Sequence, residues 1–127
     1  MLLLDERIRT DGTHAKCFAS ADGERVHIHD EEADGALSVA AVDRVMTRYG
    51  RPLDPGIRLD GEVLELASGY RLRRLRHHAP VDATGRDYLV WEAPGKEPLA
   101  VVATMVTAAL RYLVLRLGAE HSQESEG

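Results

Sequence analysis

A chain of 127 residues is long enough to bury a core without disulfide or metal staples, and it reads as one domain. Its apolar fraction of 44% and charged fraction of 29% are ordinary for a soluble globular protein, and its net charge of −5 argues against duplex DNA as a partner, since phosphate binding draws on excess positive charge. The single cysteine, Cys17, excludes an intramolecular disulfide and fits a reducing, cytoplasmic compartment.

Residues 1–9 read as an edge strand that ends at a Thr10-Asp11-Gly12 turn. Their Met-Leu-Leu-Leu opening turns charged at Asp5, too soon for a signal-peptide core. Residues 14–20 and 25–30 flank Asp22-Gly23, the composition of a two-residue type I′ hairpin. That register sets Ala19 opposite Val26 and Cys17 opposite Ile28 on an apolar side. Phe18 then faces His27, and Lys16 faces His29, on the other side. Cys17 is accordingly expected to be an inert core residue. Asp30, Glu31, Glu32 and Asp34 form an acidic loop. Ser38 is an N-cap for a helix over about 38–49, in which Val39, Val42, Met46 and Tyr49 recur at three- and four-residue steps. Gly50 and Pro52 stop it.

A second block of strands is expected over 57–59, 62–67, 70–77 and 87–92, with a loop at 78–86 and a Pro94-Gly95 turn. The alternation in 70–77 slips between Arg73 and Arg74, which predicts a bulge. The last element reads as a helix over 98–117, with Pro98 at a favoured first position and Gly118 beyond its end. Sixteen of its twenty residues are apolar; Thr104, Thr107 and Arg111 make a narrow polar stripe, and only Arg116 lies well off it. The run from Pro98 to the charge at Arg111 is too short for a membrane span of about twenty residues. The order strands-helix-strands-helix defines an α+β fold: an antiparallel sheet with two helices (about 38–49 and 98–117) on one face. The domain is expected to cover 1–118, and the polar, acidic residues 119–127 to form a disordered tail.

No nucleophile elbow, phosphate-binding glycine loop, Cys-x-x-Cys or His-Glu-x-x-His motif occurs, so neither an enzyme nor a cofactor is indicated. The surplus apolar face of the last helix points instead to association. The primary expectation is a small protein-binding module, an adaptor, chaperone-like or assembly component, homodimeric through that helix. Val102, Val106, Leu110, Leu113 and Leu117 would supply the apolar contact, and Arg71, Arg73, Arg74 and Arg76 a polar, orienting one. Two other readings compete with it. His27 and His29 share a strand face and, with His78 or Glu32, have the chemistry of a metal site, as in a small metal-binding protein or metal-dependent enzyme. The arginine-rich strand has the forks that suit an anion or single-stranded nucleic acid.

Overall fold

The computed structural model describes residues 1–32, 34–54, 56–76 and 87–113. Its first sheet is a four-stranded antiparallel meander in sequence order: β1 (Leu2–Ile8), β2 (His14–Asp22), β3 (Arg25–Asp30) and β4 (Asp34–Ser38). Period-two alternation places Leu2, Leu4, Ala15, Cys17, Ala19, Val26 and Ile28 inside. Between Leu3 and Asp5 the β1 register shifts, a bulge that re-aims the start of this edge strand.

The β2–β3 hairpin turns on Gly23-Glu24, one residue later than its composition suggests. Asp22 pairs with Arg25, Ala19 with Ile28 and Phe18 with His29. Gly23 carries φ +62 and Glu24 does not have a positive φ, the sign pattern of a type II′ turn, which wants glycine first. The change moves every partner by two, so each residue keeps its expected face. The acidic stretch does not form a loop as a whole: Asp30 ends β3 inside the protein, and Asp34 opens β4.

Helix α1 (Val39–Tyr49) begins as its sequence dictates, with the Ser38 hydroxyl accepting the Ala41 backbone N–H at 3.2 Å. It buries Val39, Ala41, Val42, Val45 and Met46 but leaves Tyr49 exposed. Gly50 closes the helix with extended backbone angles (φ −76, ψ 153). Its lack of a side chain matters for space: a Cβ would lie 2.4 Å from the Met46 carbonyl oxygen and 2.9 Å from Leu99 Cβ.

The second sheet runs in the order β5 (Arg51–Pro52), β9 (Leu99–Val102), β8 (Tyr88–Glu92), β7 (Arg71–Leu75), β6 (Glu62–Glu65), all antiparallel. A short 3-10 turn at Ala67–Gly69 joins β6 to β7. The two sheets replace the single sheet expected. Residues 57–59 do not form a strand, and β7 keeps one register along both of its neighbours, with no bulge at Arg73-Arg74.

The start of the last helix is a correction. Leu99–Val102 is a strand between β5 and β8, and helix α2 is described over 103–113. Short apolar runs do not separate strand from helix by pattern alone, and the Pro94-Gly95 turn, with Gly95 at φ +71, returns the chain beside β8. There the pairing available to Val101 and Val102 outweighs the helical reading. One buried cluster joins both sheets and both helices, including Leu4, Ile28, Met46, Leu72, Trp91, Val106 and Leu110. The α+β class and the order strands-helix-strands-helix stand as expected. Among the described residues, no helix is long and apolar enough to cross a membrane.

Candidate functional site: a groove between the two helices

Packing in α2 inverts the polarity its sequence suggests. Thr107 is buried, because its hydroxyl donates to the Ala103 carbonyl one turn back at 3.1 Å. Arg111 turns inward as well, and its Nε donates to Asp30 Oδ2. The Asp30 side chain is only 1% exposed, and its Oδ1 also accepts the Glu32 backbone N–H at 2.9 Å. With two of its polar residues satisfied inside, the helix presents Thr104, Met105, Ala108 and Tyr112 to solvent. Met105 is 53% and Tyr112 61% exposed, unusual for such large apolar side chains.

Beside them lies a groove of about 560 Å³ between α1 and α2. Val45, Arg44, Arg48 and Tyr49 line it from α1, and Met105, Ala108, Ala109, Tyr112 and Leu113 from α2. The Arg48 guanidinium sits over the Tyr49 ring, 5.6 Å from its centroid. Methionine, tyrosine and arginine are the side chains that protein interfaces favour. On the opposite side of α1, Asp43 accepts the Trp91 Nε1–H at 2.7 Å, and Trp91 stacks on Tyr70 at 5.2 Å. This contact fixes α1 on the second sheet and so sets one wall of the groove.

The sequence-expected contact residues divide among three places. Leu113 lines the groove. Val106 and Leu110 are each 1% exposed and belong to the protein's own core, while Val102 lies in β9. Leu117 falls outside the described residues. The arginines of residues 71–76 are far from unpaired. Arg71 meets Glu65 at 3.5 Å, Arg73 meets Glu92 at 3.3 Å, and Arg76 meets Glu62 at 3.1 Å. Arg74 bridges the sheets, donating to the Leu3 carbonyl at 2.7 Å and to Asp87 at 2.8 Å. Each of the four therefore has a carboxylate partner within the chain, and Arg71, Arg73 and Arg74 lie in a strand paired on both sides.

The histidine face is brought together only in part. The rings of His27 and His29 stack at 6.4 Å, and His27 lies 3.8 Å from Asp22. Glu32 reaches Arg7 at 3.8 Å instead, and His78 is outside the described residues. Among the described residues no group of three or more His, Cys, Asp or Glu side chains could hold a metal ion. Cys17 is 1% exposed. Burial, reinforced by the Asp30 carboxylate, pushes its thiol up to about 11, which keeps it protonated and unreactive at neutral pH.

Sequence reasoning missed Met105, Tyr112, Arg44 and Arg48. The signal was present in the four-residue step from Arg44 to Arg48 and the seven-residue step from Met105 to Tyr112, each placing two residues on one helix face. Comparison of the chain with protein-family models, with curated proteins and with solved structures returns no match.

Proposed function

We propose that this protein is a cytoplasmic binding module, an adaptor or assembly component whose working surface is the groove between α1 and α2. The observation that carries the reading is the exposure of Met105 and Tyr112 beside Tyr49, around a concavity lined by arginine. Helix-lined apolar grooves take an amphipathic segment of a partner by inserting its apolar side chains. Self-association is the first form of partnering to test, since the same face could serve a homodimer.

A photo-crosslinking residue at Ala108 tests the surface directly. Crosslinks to a partner chain should form from position 108, and should not form from a control at Ser20 on the first sheet. Light scattering across a hundredfold dilution then states whether that partner is a second copy, by a mass of 14.0 kDa or twice it. Equal crosslinking from both positions would overturn the assignment of the groove.

A further inference from the structure

We propose, resting on the binding-module reading, that the groove takes an acidic amphipathic segment of another protein rather than a second copy of this chain. The argument is one of charge. Across residues 39–49 and 103–113 the helices carry three arginines, Arg44, Arg48 and Arg111, and one carboxylate, Asp43. Asp43 is engaged by Trp91, and Arg111 by Asp30. Arg44 and Arg48 stand one helical turn apart on the groove wall, and neither forms an ion pair among the described residues. In a chain of net charge −5, where Arg71, Arg73, Arg74 and Arg76 are each matched by a carboxylate, this is a cationic rim with no counterpart among the described residues. Arg48 is braced against the Tyr49 ring, a stacking that does not use up its N–H donors.

A two-fold interface sets the same patch against itself. Here that would oppose Arg44 and Arg48 with their own copies, since the described residues of the groove lining include no carboxylate. Residues 119–127 of this chain supply Glu120, Glu124 and Glu126 but only Ala119 as an apolar residue, too little to cover Met105 and Tyr112. The segment that fits has apolar side chains at helical spacing, flanked by aspartate or glutamate.

The test uses the full chain and two fluorescent synthetic peptides, each with leucines at three- and four-residue steps. One carries glutamates on the flanks of its leucine stripe and the other lysines. The glutamate peptide should bind about tenfold or more tightly than its lysine twin, with the gap shrinking as salt rises. Arg44→Gln with Arg48→Gln should erase the preference, and Arg44→Glu with Arg48→Glu should invert it, while circular dichroism stays that of the parent. Equal binding of the twins would overturn the acidic partner and leave the groove a binding surface. Binding of neither would overturn both readings. A dimer abolished by Tyr112→Glu would assign the face to a second copy. Tighter glutamate-peptide binding on neutralising Glu120, Glu124 and Glu126 to glutamine would assign it to the chain's own tail. Each of these last two results overturns the proposal.

Discussion

Arg111 should prove far more costly to remove than Asp30, although the two form one ion pair. The Asp30 side chain is 1% exposed and the Arg111 side chain 16%, so the partner left behind differs in each variant. Arg111→Met strands a buried carboxylate whose one backbone donor among the described residues is that of Glu32. Breaking a buried pair in this way costs about 3–5 kcal/mol, a large share of the stability of an ordinary domain. Asp30→Asn keeps an oxygen for the Glu32 N–H and leaves an arginine close enough to water to turn outward. Its cost should be about 1–3 kcal/mol. The double variant should cost less than the sum by about 1 kcal/mol or more, because the two residues share one contact. Urea titration followed by Trp91 fluorescence reads all three; at a slope of about 1–3 kcal/mol per molar, Arg111→Met should lower the midpoint by more than about 1 M. An Arg111→Met midpoint equal to or above that of Asp30→Asn would refute the reasoning.

Four further outcomes follow from the packing. Met105→Glu and Tyr112→Glu should fold with stability within about 0.5 kcal/mol of the parent, whereas Val106→Glu or Leu110→Glu should unfold the chain, as thermal melts would show. Gly50→Ala should cost about 1–3 kcal/mol by overpacking against Met46 and Leu99, although its φ of −76 suits alanine; an unchanged melting temperature would contradict this. Asp43→Ala should cost about 1–3 kcal/mol by leaving the Trp91 indole N–H unsatisfied, with a shift in its emission. Cys17 should resist iodoacetamide at pH 8 until denaturant is added. Because its folded-state value is raised from 9.0 to about 11, the native state holds a proton the unfolded chain has lost over that interval. The thiol's contribution is thus full below about pH 9 and lost as pH rises through about 11. A Cys17→Ala variant should show a smaller fall in stability over that window.

Where local chemistry decides, the sequence was readable. Ser38 capped α1, Gly12 and Gly95 turned the chain with positive φ, and the first three strands fell where alternation put them. Reading failed where pairing across distance decides. Nothing local distinguishes Leu99–Val102 from the first turn of a helix; β5 and β8 on either side make it a strand. The groove suffered for the same reason. With the helix begun too early, its polar stripe looked like the solvent face, whereas Asp30, 81 residues earlier, draws Arg111 inward and rotates Met105 and Tyr112 out. The seven-residue step groups Met105 and Tyr112 on one face, but nothing within α2 says that this face is the outer one.

Arg74 gives the chain an order of completion. In the edge strand β1 the Leu3 carbonyl accepts from a side chain 71 residues further on, in the other sheet. On a ribosome, β1 to β4 emerge as a meander with local pairings and can assemble early. Their first strand then lacks this contact at its rim until β7 is made. The amino-terminal half is a scaffold latched from outside, and the latch arrives only when the second half does.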